Sequence, residues 1–168
     1  MKKQQLKGFT IIEVVLVLAI AGLIFLMVFI ALPALQRSQR DTQRRDDMAR
    51  FSSQLSQYQA NNNGKVPTAT TDGYNKKFID SYLKASDDSF ADPSTGDDYK
   101  VEKVIDCDTV ANKTTSCGSE SSKDTELGHI YVYTNATCDG ENPKYVQGDR
   151  KIAFTLKLEG AGVYCGHN

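Results

Sequence analysis

Apolar positions are distributed along this chain in three ways, and each predicts a different element. Residues 14–35 form a run without a charged side chain, long enough to cross a bilayer as a helix. Beyond it, Met48, Phe51, Leu55 and Tyr58 recur at spacings of three and four, which puts them on one face of a continuing helix. Asn61-Asn62-Asn63-Gly64, with Pro67 shortly after, predicts the stop. In the C-terminal part the period drops to two. Ile152, Phe154, Leu156 and Leu158 alternate with Ala153, Thr155, Lys157 and Glu159, the clearest strand pattern in the chain. Gly160-Ala161-Gly162 then turns the chain, so that Val163-Tyr164-Cys165 returns as a hairpin. Weaker strand patterns cover 99–104 and 130–134, and Phe78, Ile79, Tyr82 and Leu83 share one face of a short helix at 74–83.

The predicted fold class is α+β: a long N-terminal helix whose rear half packs against an antiparallel sheet of three or four strands, polar on its other face. The organisation is a basic leader at 1–8, an apolar helix at 9–35, an amphipathic continuation at 36–62 and a head at 63–168. In the continuation, arginines interleave with aspartates over 37–47. This is expected to be a solvated or subunit-facing stretch with i,i+3 and i,i+4 pairs.

One acid interrupts the picture of a plain anchor. The segment Lys7-Gly8-Phe9-Thr10-Ile11-Ile12-Glu13 leads into the apolar run, and a lone carboxylate at bilayer depth costs about 3 kcal/mol. Glu13 therefore calls for a partner. These residues closely resemble the processing site of type IV prepilins, over about the first 35 residues. The resemblance implies that a prepilin peptidase cuts after Gly8 and methylates the new terminal amine of Phe9. It also implies that Glu13, fifth in the mature chain, serves filament assembly. Lys2, Lys3 and Lys7 form the basic leader. A terminal ammonium on Phe9 could pair with Glu13 of a neighbouring subunit, satisfying both charges in apolar surroundings. Such a head-to-tail contact generates an open helical fibre.

Two simpler readings of the segment fail on particular residues. A secretory signal could end at Ala19-Ile20-Ala21, but Glu13 would interrupt its core and a greasy N-terminus would remain. An ordinary anchor explains neither Glu13 nor Gly8-Phe9. Gly22 and Pro33 are helix irregularities, costing about 1 and 3 kcal/mol in a helix interior. Some pilins unwind near such positions, but Pro33 falls later than the proline of many relatives, and a kink between Leu32 and Leu35 is the expectation here.

Basic residues flank the run on both sides, so charge does not orient it. Cysteine usage does: Cys107, Cys117, Cys138 and Cys165 all lie in the C-terminal part, and disulfides persist in oxidising compartments. The expected arrangement is a single-pass inner or cytoplasmic membrane protein with the head outside and the assembled form at the surface. Three pairings of four cysteines are open; Cys107–Cys117 and Cys138–Cys165 are preferred, the first closing a polar loop and the second tying in the last strand. No paired C-x-x-C spacing suggests zinc.

Asp92-Pro93-Ser94-Thr95-Gly96-Asp97-Asp98-Tyr99 resembles a turn segment of several pilins and pseudopilins. Some relatives bind calcium nearby, which makes Asp92, Asp97 and Asp98, with Asp87 and Asp88, weak calcium candidates beside the alternative of a solvated acidic loop; no EF-hand spacing is present. No other cofactor is expected. Asn112-Lys113-Thr114 and Asn135-Ala136-Thr137 match the glycosylation sequon and are left unassigned.

Loss of the leader takes the net charge from -1 to about -4, which gives no reason to expect nucleic acid as a primary partner. No nucleophile elbow, phosphate loop or metalloprotease motif is present, and no catalytic residue is assigned. The expected partners are other copies in a helical filament, the prepilin peptidase, an assembly ATPase acting through a membrane platform, and the lipid bilayer before assembly. The expected function is that of a structural pilin of a type IV pilus-like fibre, for adhesion, twitching motility or DNA uptake. DNA or a host surface would then meet the outward loops at 68–98 and 106–126. The alternatives are a pseudopilin of a secretion or competence machine and a membrane-anchored binding head that does not polymerise.

Overall fold

The computed structural model describes residues 8–68, 70–85, 89–109, 117, 126–148, 150–160 and 162–168, and the chain divides into two units, Met1–Arg37 and Ser38–Asn168. Lys2, Lys3, Lys7, Asp87, Asp88, Ala161 and the first sequon, at Asn112, lie outside the described residues.

Helix α1 spans Ile11–Asn61. Its early part is continuous through Gly22 and Pro33, and its apolar side chains are exposed. It is long and apolar enough to cross a membrane, with a mean hydropathy of 3.2 in its most apolar window. The helix stops where expected: Asn63 and Gly64 take left-handed φ values of 56° and 77°, and the Gly64 amide donates back to the Gln59 carbonyl at 2.7 Å. This conformation favours glycine and asparagine at helix C-termini.

Within the second unit, Met48, Phe51 and Leu55 are fully buried and Tyr58 partly so. Phe51 is central. Its ring centroid lies 5.2 Å from Phe78, 4.9 Å from Phe154 and 6.3 Å from Phe90. Phe78 comes from a second helix, α2 (Gly73–Leu83), which buries Tyr74, Phe78, Ile79 and Leu83 as the sequence spacing requires but is wound as a π-helix.

Among the described residues six strands follow: β1 (Lys100–Asp106), β2 (His129–Thr134), β3 (Ala136–Asp139), β4 (Asn142–Tyr145), β5 (Ile152–Lys157) and β6 (Val163–His167). The main sheet has the order β1-β2-β5-β6. β2–β5 and β5–β6 pair antiparallel, while β1 and β2 pair parallel, with a register shift between Val101 and Lys103. The sheet is therefore mixed, which corrects the all-antiparallel expectation. A parallel pair needs a long crossover, and residues 107–128 supply it. At the outer edge of β1, the Asn75 side chain takes the place of a neighbouring strand: it accepts from Val101 N at 2.7 Å and donates to Val101 O at 3.0 Å.

The face of β5 expected to be polar is covered as well. Ala153, Tyr133, Ala136 and both disulfides form a second, smaller apolar cluster, to which the β3–β4 hairpin contributes. Gly166 on β6 is the close-approach position of this sheet, since a Cβ there would lie 2.5 Å from the Phe154 ring.

Candidate functional site

Two charged constellations stand out, one at the start of α1 and one in the second unit. At the start, Thr10 and Glu13 cap the helix. Thr10 donates from both its amide and its hydroxyl to Glu13 Oε2, at 2.8 Å each, and the Glu13 amide reaches back to Thr10 Oγ1 at 3.4 Å. This reciprocal arrangement satisfies donors that a helix N-terminus otherwise leaves bare, and it puts the carboxylate at the positive end of the helix dipole. Glu13 lies with Phe9, Val14, Val17 and Leu18 around an open depression of about 310 Å³. The Phe9 side chain is exposed, and a Cβ at Gly8 would meet nothing within 4 Å. Among the described residues nothing crowds the peptide bond between Gly8 and Phe9, four residues ahead of the acid.

The second constellation corrects the solvated expectation for two residues of the Arg/Asp stretch, Asp41 and Arg44, whereas Arg45 and Asp46 are exposed. The stripe that buries Met48, Phe51 and Leu55 continues back at the same spacings to Arg44 and Asp41, and both are buried. Arg44 donates through Nε to Asp92 Oδ2 at 2.7 Å and through Nη2 to Asp92 Oδ1 at 2.9 Å. It also donates to Asp41 Oδ1 at 2.8 Å, to Ser94 Oγ at 2.8 Å and to Glu159 Oε2 at 3.4 Å. Glu159 in turn accepts a bidentate pair from Arg40 at 2.7 and 2.5 Å. Asp41 accepts from the backbone amides of Glu159 and Gly160, at 2.8 and 2.7 Å, in the β5–β6 turn.

Burial alone would raise the Asp92 carboxyl, but the bonds from Arg44 and Ser94 outweigh it and hold the group down at about 2. Burial likewise opposes the Arg44 charge, and the bonds to Asp92 and Asp41 more than restore it. Glu159 is lowered, chiefly by its bond from Arg40.

The Asp92 segment is a turn pinned by its own first residue. Asp92 Oδ1 accepts from the Ser94 amide and hydroxyl, Gly96 N donates to Asp92 O, and Ala91 bridges to Asp98. Its acids do not face one point: Asp92 is bound to Arg44, whereas Asp98 accepts from Lys84 Nζ at 2.6 Å on the exposed side. Among the described residues, no group of three or more His, Cys, Asp or Glu side chains is placed to hold a metal ion.

Cys107 is bonded to Cys117 and Cys138 to Cys165, with Cα separations of 5.3 and 5.9 Å, the pairs preferred above. In the second sequon, Asn135 sits at a left-handed φ of 56° and its amide donates to Asp106 Oδ1 at 3.0 Å. The site residues that sequence reasoning missed are Asp41, Arg44 and Glu159. The signal that could have found the first two is the unbroken three-four spacing from 41 to 58, read without regard to polarity.

No protein-family model matches this chain, and neither a curated protein nor a solved structure matches it.

Proposed function

We propose that this chain is a type IV pilin-like structural subunit: a membrane-anchored precursor cut after Gly8, methylated on Phe9 and polymerised into a surface filament. The observation that carries the reading is Glu13, the sole charged residue between Phe9 and Gln36, set five residues after an accessible Gly8 on a helix whose apolar side chains are bare. Bare apolar surface of this extent needs lipid or protein around it, and the same helix would have lipid before assembly and other subunits after it.

Cleavage releases an ammonium on Phe9 where the leader had an amide. That cation and the Glu13 carboxylate of an adjacent copy neutralise each other in apolar surroundings. Within one chain Glu13 is engaged by Thr10 through a single oxygen, Oε2, in the bonds described above. A carboxylate has acceptor sites on both oxygens, so the cap and an intersubunit pair are compatible. The pair sets register as well as attraction: a subunit advances until its terminus reaches a neighbour's acid. The head, held by two disulfides, faces the oxidising side. The prepilin peptidase and the assembly ATPase with its membrane platform supply the chemistry and the work.

The test is Glu13→Ala expressed in place of the parent chain. Membrane insertion is expected to persist while surface fibres, counted after immunogold labelling, are lost or much reduced. Fibres of ordinary length and number would remove Glu13 from the mechanism.

A further inference from the structure

Three consecutive asparagines close α1, and their side chains are held differently. Asn61 donates to the Tyr82 hydroxyl at 3.5 Å, and Asn62 to the Tyr58 carbonyl at 2.8 Å. Asn63 is exposed, and its side-chain amide has no hydrogen-bond partner among the described residues. It is also the one asparagine in the sequence that is followed by glycine. We infer that Asn63 is a site of spontaneous deamidation, converted at a rate set by how often the last turn of α1 opens.

The chemistry needs only water. The Gly64 amide nitrogen attacks Asn63 Cγ; a C–N bond forms, the bond from Cγ to Nδ2 breaks, and ammonia leaves with the proton that Gly64 gives up. Water then opens the five-membered imide. Attack at Cγ gives aspartate, and attack at the backbone carbonyl carbon gives isoaspartate. A glycine nitrogen is the least hindered nucleophile for the first step, since no Cβ stands beside it.

The helix cap both creates the labile pair and restrains it. Left-handed φ values of 56° and 77° at positions 63 and 64 favour asparagine and glycine. Any Cβ at position 64 would lie 2.8 Å from the Arg150 guanidinium, so the backbone and its neighbour both call for glycine. The same cap withholds the nucleophile. The Gly64 N–H that must be lost donates to the Gln59 carbonyl at 2.7 Å, so attack waits until that bond opens. The turn is tied down through Gln59, whose side chain donates to the Arg150 carbonyl at 3.1 Å and accepts from Asn168 Nδ2 at 2.9 Å. A reaction that proceeds through local opening is slowed by the opening equilibrium.

The experiment incubates the full chain in detergent micelles in mildly alkaline buffer and follows conversion by peptide mass mapping that separates aspartate from isoaspartate. A parallel sample contains enough urea to unfold the second unit. Conversion in the folded chain is expected to be fastest at Asn63 and at least about tenfold slower there than in urea. Gln59→Ala, which removes both side-chain ties, is expected to speed conversion of the folded chain by roughly threefold or more and to leave the rate in urea unchanged. Conversion at Asn61 or Asn62 as fast as at Asn63, or none at Asn63 in urea, would overturn the assignment of the site. Equal rates in the folded and unfolded parent chain, or a folded Gln59→Ala protein that converts no faster than its parent, would overturn control by the cap. If Gln59→Ala fails to fold, the two rates of the parent chain still decide. Neither Glu13 nor assembly enters this test.

Discussion

Arg44 and Asp92, 48 positions apart in the chain, meet through two hydrogen bonds of 2.7 and 2.9 Å with both side chains buried. Removing one member of such a pair leaves the other charged and desolvated, which costs about 3–5 kcal/mol. Arg44→Ala is therefore expected to lower the unfolding free energy by about that amount, read as a fall in the urea midpoint of the full chain in micelles. The double variant Arg44→Met with Asp92→Leu is expected to be more stable than Arg44→Ala, because the buried Asp92 carboxylate is no longer left without its cation.

The pH response follows from the same pair. Asp92 is held at about 2, below its ordinary 3.8, so its contribution is complete above 3.8 and is lost as pH falls from 3.8 toward 2. The difference corresponds to roughly 2 kcal/mol. Glu159, also lowered, adds a loss in the acid range. Asp47, raised chiefly by burial, acts in the opposite sense: its charged form is disfavoured by folding, and acid relieves that penalty. The expectation is a midpoint that drops steeply below pH 4 in the parent chain and much less steeply in Asp92→Asn. Parallel pH curves for the two proteins would contradict the role given to Asp92.

Phe51 touches three other aromatic rings and is fully buried. Phe51→Ala should cost about 3–5 kcal/mol through lost burial and the cavity left behind. Phe51→Leu should cost less than half of that, and urea titration would measure both.

What was legible in the sequence was the part written in apolar periodicity. Met48, Phe51, Leu55 and Tyr58 announced the packed face of α1, and Ile152, Phe154 and Leu156 announced the packed face of β5. Asp41 and Arg44 lie on the same stripe, yet a charged pair three residues apart reads as an exposed helix pair. Its burial depends on Asp92 and Glu159, which arrive from distant segments. The direction of β1 relative to β2 was also hidden, because alternation marks a strand's faces but not its polarity. β4 was unreadable for a different reason: it is four residues long and contains Pro143, a strand breaker that a short hairpin strand tolerates. Glu13 was legible because an acid in an apolar run is conspicuous without any tertiary information.

The two disulfides differ in what they close. Cys138–Cys165 spans 27 positions and Cys107–Cys117 spans 10. By chain entropy these correspond to roughly 3.5 and 2.7 kcal/mol. Paired Cys→Ser variants should therefore lower stability in that order, and the Cys138/Cys165 variant should show the lower thermal midpoint. The reverse order would mean that native contacts around the shorter bridge outweigh loop closure.

The central claim is that this chain is processed and polymerised from its N-terminus. Mass spectrometry of the N-terminal peptide, taken from material sheared off the cell surface, tests it most directly. The account predicts a chain that begins at N-methylated Phe9. An intact Met1 terminus found only in the membrane fraction would contradict it, and the assembly role of Glu13 would fall with it.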